Sequence, residues 1–199
     1  MTSKRNSATP AHRVSDDVLL DAARECVLSV GVRRTTLTDI AKRAGTSRMT
    51  VYRRFPGVTS VVAALMTREF GTLLGEAGDT SGGTARQRLV GASVLAARRL
   101  VADPLLRSVL DRDAELLLPY LVQRVGGTQR LAEKFITEQL TAGHADGSIR
   151  QAPVAAQTRV LFLTVQAFVI SHRPAAQDVA DDDLLAELAA SLDHGLRPA

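Results

Sequence analysis

The stretch that most limits how this chain can fold runs from Thr36 to Phe55, TLTDIAKRAGTSRMTVYRRF. Thr36-Leu-Thr-Asp39 has the spacing of a capping box, in which hydroxyl and carboxylate take up amide donors that a first helical turn leaves orphaned. Leu37, Ile40, Ala41 and Ala44 then recur at helical spacing and predict one narrow apolar face. Gly45 follows at once and can adopt the left-handed angles that end a helix. Thr46 or Ser47 caps a second helix, in which Met49, Val51, Tyr52 and Phe55 are interleaved with Arg48, Arg53 and Arg54. Pro56-Gly57 stops it. Two capped helices joined by so short a turn predict a helix-turn-helix.

The rest of the chain reads as helix as well. Ser15 caps a helix to about Val30, with Asp16 and Asp17 at its positive end and Gly31 after it. Val18, Leu19, Ala22, Ala23, Cys26, Val27 and Val30 are its expected inner face. Further helices are expected at about 58–74, 84–102, 105–110, 114–125 (ended by Gly126-Gly127) and 128–142. Asp103-Pro104 pairs a cap with a first-turn proline. Pro153 opens a helix apolar around most of its circumference, Val160 to Ile170, which predicts cover on more than one side. The last helix, about Asp181 to Leu192, carries the stripe Leu184, Leu185, Leu188, Ala189 and Leu192. No segment shows strand alternation, so the fold class is all-α. The expected organisation is a polar, disordered arm at 1–13, a head at 14–57 and a larger body at 58–199.

Charge separates head from body. Residues 1–60 hold eleven Lys/Arg against five Asp/Glu, whereas 61–199 hold fourteen against sixteen. A basic head on a near-neutral body points to a polyanion that meets the head alone. The single cysteine, Cys26, excludes an intrachain disulfide and a cysteine metal cluster. No nucleophile elbow, dinucleotide glycine pattern or His-Glu-x-x-His is present, so neither an enzyme nor a cofactor is expected. His144-Ala-Asp146 reads as a local hydrogen-bonding turn, and Asp181–Asp183 as complement to a helix dipole, with no metal expected. The N-terminus lacks an apolar signal core, and 160–170 is too short to span a bilayer. A cytoplasmic protein without a membrane partner is the expectation.

The order Thr36, Ile40-Ala41, Ala44-Gly45, Ser47, Tyr52, Phe55-Pro56, with Gly31 ahead of it, resembles the helix-turn-helix of the TetR family of transcriptional regulators. That resemblance implies a partner in double-stranded DNA. Side chains at the N-terminal end of a helix in the major groove touch base edges. Here these are Arg48, Met49 and Thr50, preceded by Thr46 and Ser47. Arg48 fits a guanine edge, and Met49 and Thr50 a thymine methyl. By analogy with the family, Tyr52 packs inward while offering its hydroxyl to a phosphate, and Arg53 contacts the backbone. Thr36, Lys42 and Arg43 are further phosphate candidates, and Arg54 reads as an exposed charge. The chain departs from the family at Val58, where relatives usually carry a lysine; Thr59, Ser60 or helix amides remain there for a phosphate.

The resemblance further implies a homodimer through the helices at about 153–171 and 181–192, and a small-molecule ligand in the body. Burial of the first of those helices within its own monomer is the competing arrangement. Phe135, Phe162, Phe168 and Tyr120 predict an apolar pocket, with Met66, Arg98, Arg99 and Gln166 as candidate linings. The expected protein is a ligand-released repressor of a palindromic operator. The alternative is a ligand-binding or interaction module whose head no longer reads DNA, for which Val58 speaks.

Overall fold

The computed structural model describes residues 14–78, 82–119, 123 and 126–198. The arm expected at 1–13 and Tyr120 lie outside the described residues. Every regular element among the described residues is helical.

The head is built as its caps dictate. Helix α1 (Asp16–Val30) starts with Ser15 Oγ accepting from Val18 N and ends at Gly31, whose φ of +83° suits glycine. Helix α2 (Leu37–Arg43) carries the full capping box: Thr36 Oγ1 accepts from Asp39 N at 3.1 Å and Asp39 Oδ2 accepts from Thr36 N at 3.2 Å. Of the two candidate caps for α3 (Arg48–Arg54), Ser47 takes the role, accepting from Thr50 N at 3.1 Å. Thr46 N instead donates back to Ala41 O at 2.9 Å and closes α2. Leu19, Ala23, Val27, Ile40 and Val51 bury together with Val61 and Leu65 of the next helix, α4 (Val58–Gly78). Val18 departs from the expected inner face and is exposed, because Leu19 and Leu20 take the inward positions.

Helix α4 runs four residues beyond the expected Leu74, carrying Gly75 and Gly78 inside it. Helix α5 (Ala85–Ala102) follows, and then α6 (Pro104–Arg112), with Asp103 Oδ1 accepting from Leu106 N at 2.7 Å. Where a helix is expected at 114–125, Ala114–Leu116 form a 3-10 turn and Leu118 and Pro119 are helical; residues 120–122, 124 and 125 lie outside the described residues. The helix expected from about Thr128 starts one residue earlier, at Gly127, with Gly126 as its cap. The Gln129 side chain accepts from Gly126 N at 2.6 Å and starts α7 (Gly127–Ala145).

The body packs around α5, with α4, α7, α8 (Val154–Ala175) and α9 (Asp181–Leu196) against it. Leu89, Ala97 and Leu100 of α5 meet Leu140, Leu161, Leu185, Leu188, Leu192 and Leu196. A Cβ at Gly143 would lie 2.3 Å from the Ile149 side chain, so glycine there lets the chain after α7 fold back tightly. Helix α8 is long and apolar enough to cross a membrane, but α5 and α7 pack along it. The expected cover on more than one side is incomplete among the described residues of a single chain. Leu161 and Val169 are buried, whereas Val160 is 64% and Leu163 54% exposed.

Candidate nucleic-acid interface and body cavity

Helix α3 has two faces of opposite character. Val51 is fully buried and Phe55 nearly so, which fixes the helix against α2 in the core of the head. The opposite face carries Ser47, Arg48, Met49, Tyr52 and Arg53, all exposed, with Thr46 and Thr50 half-buried. Met49 is 75% exposed, more than any other large apolar side chain among the described residues. Ser47 Oγ and Thr50 Oγ1 share a hydrogen bond of 2.9 Å in addition to the cap. Tyr52 is 52% exposed and so less inward than expected, because the i and i+4 positions Val51 and Phe55 already occupy the core.

The cations differ in their engagement. Arg43 pairs with Glu25 at 2.8 Å, and the Thr36 hydroxyl donates to Asp39 at 2.6 Å within the capping box. Among the described residues Lys42, Arg48 and Arg53 have no ion-pair partner and face solvent. Arg54, expected as an exposed charge, is a half-buried strut: its guanidinium reaches Asp16 Oδ1 at 2.8 Å. Arg68 of α4 likewise holds α1, reaching Asp21 at 2.8 Å and the Asp17 carbonyl at 3.2 Å. Asp16, Asp17 and Asp21 therefore fasten α1 to α3 and α4, the first two while also complementing its dipole. The partners lie 38 and 51 residues away, beyond the reach of periodicity. Cys26 is buried in this head; burial pushes its thiol up, with nearby Arg43 acting against it.

Helix α6 grips the end of α1. Asp113, 2% exposed, accepts from Val32 N at 2.7 Å and Arg33 N at 3.4 Å. Ser108 Oγ donates to the Val27 carbonyl at 3.3 Å, and Arg112 reaches the carbonyls of Leu28 and Ser29. The spine between head and body thus has two strands of contact, α4 and α6.

Within the body lies a cavity of about 230 Å³, walled by α4, α5, α6, the 3-10 turn, α7 and α8. Phe135, Phe162, Met66 and Gln166 line it as expected, and Phe70 does so too. Arg98 and Arg99 do not: Arg98 pairs with Asp182 and Arg99 with Glu76, both toward solvent. Phe168 lies against the His172 ring at 5.2 Å instead of in the cavity. His172 Nε2 and Asp181 Oδ1, 2.9 Å apart, join α8 to α9, and Asp182 pairs with Arg98, so the aspartate triplet also makes contacts between helices. His144 contacts Gln157 at 2.8 Å, and Asp146 accepts from Ser148 N, a bond of the local kind expected, and from Ala85 N, 61 residues earlier, which ties this turn to the start of α5. These bonds, with one from the Ser148 side chain foremost, hold the Asp146 carboxyl below the usual carboxylate range.

Comparison with known proteins assigns this arrangement. The family described as bacterial regulatory proteins, tetR family, matches residues 19–65, which span α1 to α4. An HTH-type transcriptional regulator of Mycobacterium tuberculosis is 35% identical over 179 residues, 89% of this chain and 90% of the relative. Among solved structures, FadR of Bacillus subtilis in complex with stearoyl-CoA superposes with a TM-score of 0.68 at 20% identity, covering 92% of this chain and all of that one. RolR in complex with resorcinol does so with a TM-score of 0.68 at 17% identity, over 91% and 86% of the two chains. At such identities these two likenesses concern the fold. The sequence relationship with the mycobacterial regulator extends along nearly the whole chain, and so the chain belongs to the TetR family of helix-turn-helix transcriptional regulators.

Proposed function

We propose that the protein is a homodimeric repressor that holds a palindromic operator with its two heads and releases it when a small molecule fills the body. The observation that carries the DNA reading is the exposed face of α3, Arg48 and Met49 standing clear while Val51 anchors the helix. Arg48 reads a guanine edge, and Met49 and Thr50 pack on a thymine methyl. Arg53, Lys42 and the Tyr52 hydroxyl meet phosphates. Arg43 and Thr36 join them at the neighbouring edge, the first while held by Glu25 and the second by exchanging its capping partner. At the start of α4, Ser60 Oγ is occupied by the Gly57 carbonyl at 2.7 Å. Thr59 and the first-turn amides are therefore the groups that replace the family's lysine at Val58.

Release by a ligand is supported by the position of the cavity. Val32, Thr59 and Val62 line it, and each lies where body and head meet. The amide of Val32 is the one held by Asp113 at 2.7 Å. A ligand that displaces this wall shifts the population of head positions, to the extent that it binds the two states unequally. Small molecules occupy structural neighbours of the same fold, stearoyl-CoA in one and resorcinol in another. The exposed Val160 and Leu163 on α8 favour a second copy there, with heads set to read half-sites ~34–36 Å apart or a multiple of it.

Fluorescence anisotropy on duplexes from upstream of the gene, with shuffled duplex as competitor at physiological salt, tests the central reading. A preference of about a thousandfold or more is expected. Equal binding to every duplex in a genomic fragment selection would favour the alternative, an interaction module whose head no longer reads sequence.

A further inference from the structure

We infer that the cavity is built for an uncharged, apolar ligand that presents an oxygen acceptor to Gln166, and that it discriminates against carboxylates and ammonium ions. This rests on the reading of the body as a ligand-binding module. The direction of the amides follows from one fixed donor. The backbone N–H of Gly126 can only donate, and it donates to Gln129 Oε1 at 2.6 Å. Gln129 must then turn its Nε2 outward, and it donates to Gln166 Oε1 at 3.1 Å. Gln166 is left presenting Nε2, a donor, on the cavity lining. The hydroxyls of Thr67 and Thr128 also line the cavity, 3.4 Å apart, as do those of Thr59 and Ser93; Thr67 already donates to the Ala63 carbonyl at 2.8 Å. The rest of the wall is dominated by aliphatic and phenyl groups, and none of the described lining residues is Asp, Glu, Lys, Arg or His.

Such a wall selects by charge. Among the described residues a carboxylate finds a donor but no counter-ion, and losing its water shell without one is costly. An ammonium finds among them neither a counter-ion nor, at Gln166 Nε2, an acceptor. A carbonyl, ether or hydroxyl oxygen completes the amide relay with no charge to desolvate. The volume of about 230 Å³ exceeds the roughly 150 Å³ cavity that holds a benzene, so the apolar portion is larger than one ring.

The test uses the full-length protein and four eleven-carbon probes: undecan-2-one, undecane, undecanoate and undecylammonium, titrated by calorimetry below their self-association limits. The ketone is expected to bind at least about tenfold tighter than either ion. Gln166→Leu should weaken ketone binding by about tenfold, one lost hydrogen bond, and leave undecane unchanged. Gln166→Glu, which keeps the shape and replaces the donor by an anionic acceptor, should turn the preference toward undecylammonium; far-ultraviolet circular dichroism checks that both variants fold. Undecanoate or undecylammonium binding as tightly as the ketone would overturn the inference and leave the body a ligand-binding module. Binding of none of the four would overturn both.

Discussion

Arg48 and Arg54 are six positions apart on one short segment, yet the structure gives them unrelated tasks. Arg54 spans to Asp16 and braces α3 against α1, whereas Arg48 has no ion-pair partner among the described residues and lies on the open face. Arg48→Ala should leave the unfolding midpoint nearly unchanged, as an exposed truncation does. In operator binding it should cost ~1–3 kcal/mol and relax preference at one base position, read by competition with single-base operator variants. A uniform loss across all variants would assign Arg48 to a phosphate instead. The capping residues Ser15, Thr36, Ser47 and Asp103 were legible in sequence because a cap acts within three residues. Arg54 was not, since its partner lies 38 residues earlier and the sequence offers several equivalent acidic groups.

Among the elements, α6 matters more than its nine residues foretell. The sequence marked its start, Asp103-Pro104, and left its role blank. Through Asp113 it holds the amides of Val32 and Arg33, the turn from which α2 departs. Gly31 is part of the same joint: a Cβ there would lie 3.0 Å from Asp113 Oδ2. Asp113→Ala removes a charge-assisted acceptor from a buried N–H, which costs ~1–3 kcal/mol. For a chain of this size that lowers the unfolding midpoint by about 2–4 °C per kcal/mol. If the joint also carries the ligand response, the variant's operator affinity well below its midpoint should respond less to ligand than the unaltered protein's. A lower midpoint with an undiminished ligand response would confine Asp113 to stability.

For the whole molecule the open question of architecture is what covers α8. Its buried residues face α5 and α7, and its exposed residues Val160 and Leu163 have no cover among the described residues. Val160→Glu combined with Leu163→Glu should convert a dimer to a monomer in sedimentation velocity, with little change in helix content because both side chains already face solvent in the single chain. Operator affinity should fall sharply at the same time, since one head engages only one half-site. A wild-type chain that sediments as a monomer at micromolar concentration would remove the two-headed reading.

The sequence by itself determined the elements and the character of the head. Caps, glycine stops and helical apolar spacing are local, and they set α1, α2 and α3 to within a residue. The charge imbalance between head and body is likewise a property of composition. Tertiary structure alone decided which residues act together across distance. It placed Val61 and Leu65 of α4 in the core of the head, and Asp113 beneath the turn after α1. It gathered Thr67, Gln129 and Gln166 at one end of an apolar cavity and sent Arg98 and Arg99 out to Asp182 and Glu76. The physical reason is that hydrophobic burial is non-directional. A stripe of apolar residues states that a face must be covered, and only the packed chain states by what.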